Sequence, residues 1–371
     1  MGVHIAEAAS RADLKRFIKF PWKLYADDPH YVRRLYAERK EFFGPGNPIF
    51  EFTRVRFLLA RDDDGRMLGR MTAHINERHN EFHDERTGFF GFFECVDDND
   101  VAAALMEEAE RWLASEGMDR VRGPLNFSTN QELGFLIEGF DTPPAVMMPH
   151  TKPRYPEMME SLGYRKAKDL VAYRYEYEGE IPAYIERFSR TASRRTSATI
   201  RTIDRRNFEE DVARAFRVYN NAWARNWGFV PMTEAQFRFT ARNLKPIVDT
   251  ELALLAEIDG EPIGFFLALP DVNVVFKKMK GRLFPFGIFH FLFGRRRIDR
   301  VRVITLGIVE EHRRAGIDVM LSHRAFQNGA RRGYRWGEFS WILEDNQLLR
   351  RALDRMGAQP YKTYRVYEKS L

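Results

Sequence analysis

At 371 residues, with 44% hydrophobic content and a formal net charge of +6, the chain is long enough for two or three domains and apolar enough to bury real cores. Its single cysteine, Cys95, excludes an internal disulfide framework and any cysteine-built zinc site, and fits a reducing, cytoplasmic compartment. No run reaches the roughly 18 apolar residues of a spanning helix, and the first residues lack a signal-peptide core. Contact with lipid would therefore be peripheral, on the inner face of a membrane.

In chain order, VHIAEA reads as a strand and 11 to about 25 as a helix. Asp27-Asp28-Pro29 breaks the pattern, and a second helix is expected from about Tyr31. Residues 54–76 read as a hairpin turning through Asp62-Asp63-Asp64-Gly65, and 88–96 (GFFGFFECV) as a buried strand. Residues 97–117 predict an amphipathic helix with an acidic first turn. A short strand (VRGPL) leads into a long polar loop, 126–150, expected to lack regular structure and to serve binding. A short helix and the strand KAKDLVAYRYEYEG close the first half.

The second half repeats this order. LLARDDDGRMLGRMTAHI parallels LLAEIDGEPIGFFLAL, and MMESLGYRKAKDLVAYRYE parallels RALDRMGAQPYKTYRVYEK. A spacing of about 190 residues is too long for a solenoid, so the chain reads as two copies of one α/β domain with a mixed sheet. The expected limits are 1–180 and 181–371.

One stretch in the second copy carries specific chemistry. VRVITLGIVEEHRRAGIDVM runs from a strand through a Gly-containing turn into a helix. Backbone N–H groups and the positive end of a helix dipole make such a turn an anion site. The matching point of the first copy passes into DDNDVAAAL, whose carboxylates would repel an anion.

The order of elements resembles the GNAT (Gcn5-related N-acetyltransferase) fold, in two tandem copies covering nearly the whole chain. In that fold the turn holds the diphosphate of acyl-CoA. The resemblance implies acyl-CoA as co-substrate, with Thr305, Leu306, Gly307 and Val309 on the strand, and Arg313, Arg314, Ala315, Gly316 and Ile317 in the turn. Asn346 would open the last helix. Two positions depart from the pattern: Asp318 replaces a small residue, and Leu353 stands where a Tyr often serves as acid. The first copy would then carry a degenerate CoA site. FPWKLY, RGPLNFSTNQE, EGFDTPPAVMMPH and NWGFVP are similar to a group of bacterial tandem acyltransferases that includes the bacterial ceramide synthases. This similarity implies N-acylation of a lipophilic amine such as a sphingoid base, hence a role in sphingolipid metabolism. An aminoacyl-tRNA-dependent transferase of the same fold, or a non-catalytic lipid-binding relative, are the alternatives.

An attacking amine must first lose a proton. His79 and His83, four residues apart, and Glu94 and Glu338 are the candidate bases. No third ligand accompanies the two histidines, so no metal is expected. Asn126, Ser128, Asn130, Glu132 and His150 in the polar loop, with Trp223, Trp227 and Phe229, are candidate acceptor-site residues. The insertion 271–300 sets an aromatic block, including Phe286 and Phe289, between Lys277, Lys278, Lys280, Arg282 and Arg295-Arg296-Arg297. That pattern suits a lipid surface better than nucleic acid, since the aromatics are not interleaved with the cations.

Overall fold

The structure, a computed structural model, describes residues 2–224 and 226–371. It divides into two units. The first comprises Met1–Val171, Val275–Phe293 and Tyr361–Leu371; the second comprises Ala172–Val274 and Gly294–Pro360.

In chain order the first unit holds β1 (His4–Glu7), α1 (Arg11–Leu24), α2 (Tyr36–Phe42), β2 (Thr53–Arg61), β3 (Met67–Asn76), α3 (Glu77–His83), β4 (Thr87–Cys95), α4 (Asn99–Ser115), β5 (Arg120–Gly123), β6 (Phe135–Glu138) and α5 (Tyr155–Ser161). β7 (Arg165–Glu176) begins in this unit. The second unit continues with α6 (Ala183–Ser193), β8 (Thr199–Thr202), α7 (Phe208–Ala222), α8 (Glu234–Leu244), β9 (Ala253–Ile258) and β10 (Glu261–Pro270). The insertion forms α9 (Asn273–Met279) and α10 (Gly287–Gly294), and residues 275–293 belong to the first unit. β11 (Arg300–Ile308), α11 (Ile317–Arg332), β12 (Trp336–Leu343) and α12 (Gln347–Met356) complete the second unit. The last strand, β13 (Gln359–Ser370), returns to the first from Tyr361 onward.

The first unit's sheet runs β1-β2-β3-β4-β5-β13-β7, with β6 paired to β13. β4 is buried along its whole length, in keeping with its central run GFFGFF, and the burial extends to Glu94 near its end. α4 covers it with Val101, Leu105, Met106, Ala109 and Leu113 on one face. The second unit orders its strands β12-β11-β10-β9-β8, with α11 packing Ile317, Met320 and Leu321 into the core.

Both units part their central parallel strands in the same way. β4 pairs with β5 only from Thr87 to Phe89, and β3–β4 register breaks between the pairs Arg70↔Glu94 and Thr72↔Gly91. β11 pairs with β12 only from Arg300 to Val303, and β10–β11 register breaks opposite Val303 and Thr305. A bulge re-aims a strand where pairing ends. In the first unit the opening is filled by its own chain: Leu125 donates its N–H to the Phe90 carbonyl at 2.8 Å. A Cβ on Gly91 would lie 2.1 Å from the Leu125 carbonyl oxygen, so glycine is needed there.

Two local expectations change, and one segment without an expected element takes form. The helix expected from Tyr31 starts only at Tyr36, because Tyr31 stacks its ring on Tyr25 at 4.4 Å and Arg34 pairs with Glu132. The segment holding His79 and His83 is a short helix, capped by the Asn76 side chain. The polar loop is not structureless, since it contains β6 and is pinned by buried Lys362, which donates to the carbonyls of Gly139 and, at 2.9 Å, Thr142.

Candidate functional site

In the second unit β11 delivers the chain into the expected anion turn. Gly316 takes φ +77° and caps α11 without any side-chain hydrogen bond, so the first-turn N–H groups have no side-chain cap. Arg313 and Arg314 are exposed there, and Arg313 also donates to the Ala222 carbonyl at 2.9 Å. Asp318 is exposed in the first turn of α11. A Cβ on Gly316 would stand 2.7 Å from the Ala192 Cβ, so this glycine also serves the close packing of α6. At the α4 start of the first unit, by contrast, Asp98 accepts the Asp100 N–H and occupies the helix end with a carboxylate.

Beside the turn, Trp223 lies against β11: a Cβ on Gly307 would meet its ring at 2.0 Å. Tyr219 joins Trp223 and buried Phe229 into one aromatic cluster, with ring centroids 4.9 and 5.8 Å away. The Thr305 hydroxyl is buried and has no hydrogen-bond partner among the described residues. Asn346 caps α12 through the Leu349 N–H at 3.2 Å. Leu353 is core. An uncapped helix start, exposed arginines and an orphaned hydroxyl on the adjoining strand fit a donor of the acyl-CoA type.

The four expected bases divide sharply. Glu338 is fully buried, accepts the Ser340 hydroxyl at 2.5 Å and lies 3.6 Å from Arg302. That buried ion pair ties β11 to β12. His79 sits 3.3 Å from Glu85, which also pairs with Arg122. Burial lowers the His79 pKa against the pull of Glu85, and the His79 contact holds the Glu85 carboxyl well below the usual range. The His83 ring is 4.5 Å from that of His79. No group of three or more His, Cys, Asp or Glu suited to a metal occurs among the described residues.

Glu94 differs. It is buried at the β4 bulge, and its Oε2 accepts the hydroxyls of Tyr25 at 2.6 Å and Tyr155 at 3.0 Å. Burial pushes its pKa up to about 7, with Arg70 across the ladder holding it from rising further. Arg70 itself donates to the Phe17 carbonyl at 2.6 Å and lies over the Phe17 ring.

Tyr31 and His150 adjoin this group, the His150 ring lying 5.9 Å from that of Tyr25. His150 Nε2 meets Asp28 Oδ2 at 2.8 Å. A carboxylate only accepts, so Nε2 carries the proton and Nδ1 presents a lone pair, which is buried and unpartnered among the described residues. Burial keeps the imidazole neutral by lowering its pKa, with Asp28 opposing.

Asn126 and Glu132 form a second polar group of the first unit. The Asn126 carboxamide accepts the Phe92 N–H at 2.8 Å and donates to Glu132 at 3.2 Å. Ser128 only closes its own turn, accepting the Asn130 N–H at 3.2 Å. Tyr25, Asp28, Arg70 and Tyr155 were not among the expected site residues. Arg70 had a signal, a cation inside the apolar run MLGRMTAHI.

No family model matches the chain. It is 39% identical to Protein YghO of Escherichia coli, over 98% of this chain and 94% of that protein. It is 36% identical to the bacterial ceramide synthase of Caulobacter vibrioides, over 97% of this chain and 95% of that protein. Among solved structures, a tandem GNAT protein from the clavulanic acid biosynthesis pathway superposes with a TM-score of 0.57 at 11% identity, covering 100% of this chain and 98% of its own. A GCN5-related N-acetyltransferase from Sphaerobacter thermophilus gives 0.53 at 14% identity, covering 99% and 95%. The two units, each with its central strands parted at a bulge, are thus GNAT-like, and the chain is an acyltransferase that belongs to the family of Protein YghO and the bacterial ceramide synthase.

Proposed function

We propose that the protein is an acyl-CoA-dependent N-acyltransferase that forms an amide on a lipophilic amine, a sphingoid long-chain base being the acceptor class. The similarity to a ceramide synthase along the whole chain carries this reading. The donor belongs to the second unit. There Arg313, Arg314 and the first-turn N–H groups of α11 take the diphosphate, and the β11 residues Thr305, Leu306, Gly307 and Val309 take the pantetheine and acyl carbonyl. The thioester supplies an activated acyl group.

The amine reaches the reaction as an ammonium and must be neutral to attack. Glu94, whose burial pushes its pKa up to about 7, is assigned the proton. Tyr25 and Tyr155 hold its carboxylate oxygen, and His150, oriented by Asp28, lies in the same group of rings. Amide formation then joins nitrogen to the acyl carbon, breaks the carbon–sulfur bond and leaves the thiol. With Leu353 in the core, the thiolate takes its proton from solvent rather than from a tyrosine of α12.

The test is incubation with a panel of acyl-CoAs and long-chain bases, followed by lipid extraction and mass spectrometry. An amide of the added base is expected. No amide with any donor rejects the reading.

A further inference from the structure

Residues 275–293 of the insertion are the part of the first unit that the acyl-transfer chemistry leaves unexplained. Phe284, Phe286, Phe289, Leu292 and Phe293 are 70%, 74%, 56%, 57% and 69% exposed. Burying one such side chain is worth about 1.5–3 kcal/mol, so a surface holding five within ten positions is a standing cost unless something covers it. They do not reflect a loose loop. Val275 and Met279 of α9 are buried in the core. The Gly281 carbonyl accepts the Tyr36 N–H at 3.1 Å, and Gly281 packs so tightly on Trp22 that a Cβ would meet its ring at 2.6 Å. The Phe276 and Phe291 rings face each other 6.4 Å apart, and Gly287 is buried under the Arg282 carbonyl. The segment is thus held from one side and presents Phe286, Phe289 and Phe293 at helical spacing on the other.

The charge along this segment has one sign. Lys277, Lys278, Lys280 and Arg282 are exposed, and no carboxylate occurs from Val275 to Phe293. A second copy of the chain would bring two such cation sets together, which opposes self-association through this face. An anionic bilayer satisfies both features: headgroups meet the cations while the rings enter the acyl boundary by about 5–10 Å. α10 has eight residues, and no described helix is long and apolar enough to cross a membrane, so the helix would lie in the surface.

We propose that α10 and the preceding 284–286 turn form a docking surface for anionic lipid bilayers. Only its use for acceptor entry rests on the acyltransferase reading; the binding itself does not.

The test is co-sedimentation of the full-length protein with vesicles of mixed phosphatidylglycerol and phosphatidylcholine, against vesicles of phosphatidylcholine alone. Binding is expected to the first, weak or absent to the second, and reduced by high salt. The triple variant Phe284→Ser/Leu292→Ser/Phe293→Ser should lose at least tenfold in binding. Lys277→Gln/Lys278→Gln/Lys280→Gln should lose about fivefold per cation removed. All these side chains are exposed, and an unchanged melting temperature verifies folding. Equal binding to both vesicle types, unchanged binding by the triple variant, or a dimer in solution that the triple variant abolishes each overturns the proposal. The readout is independent of activity, so failure here leaves amide synthesis standing, and absence of amide product leaves this result standing.

Discussion

Glu94 concentrates the physics of the first unit in one carboxyl group. Its pKa is about 7 in the folded protein against an ordinary 4.5, because burial penalises the charge. The folded state therefore holds the proton more tightly than the unfolded chain. The associated stability is complete below about pH 4.5 and is lost as pH rises through 7, by about 3 kcal/mol in all. Glu94→Gln has no such loss. Its melting temperature relative to the native protein should rise between pH 5 and pH 8, and an unchanged difference would mean that Glu94 does not ionise in this range. If Glu94 takes the amine's proton, the same substitution lowers kcat by about 10²–10⁴ and removes the acid limb of the pH–rate profile. At the anion turn, Asp318 is the opposing residue. Asp318→Asn should tighten acyl-CoA binding and Arg314→Gln weaken it, each by about 2–5-fold in calorimetry, as expected for an exposed charge near a helix start.

Among the elements, the β4 bulge is one that a single added methyl group would disturb. Gly91→Ala drives a Cβ into the Leu125 carbonyl and should cost about 1–3 kcal/mol in denaturant unfolding. The hairpins, the buried β4 and the amphipathic α4 were legible because period and turn chemistry agree. α2 was misplaced because nothing local announces that Tyr31 will stack on Tyr25 or that Arg34 will pair with Glu132, far along the chain. The same holds for the site. Glu94 and His150 stood out as polar residues in apolar or polar-loop settings, but Tyr155, Arg70 and Asp28 join them only through contacts that sequence spacing does not encode. Glu338, also a candidate base in sequence, is a buried partner of Arg302 and Ser340 in the fold.

For the whole molecule, chain order and unit membership do not coincide. Residues 361–371 belong to the first unit, where β13 pairs with β5 and β6 and where Tyr367 is completely buried in the core. A chain cut before Tyr361 should therefore lose the first unit, although everything removed follows the second in sequence. Limited proteolysis would show this as rapid cleavage within the first 171 residues, and resistance there would disprove it. A fragment ending near residue 180 should fail to fold for the same reason.

That last strand also sets a timetable. A ribosome making the protein releases β5 long before the strand that will pair with it exists. At about 5–20 residues per second, the β5 edge waits roughly 10–50 s for its neighbour. During that wait its unpaired N–H and C=O groups offer a template to any other extended chain. Newborn copies need shelter from one another until translation ends.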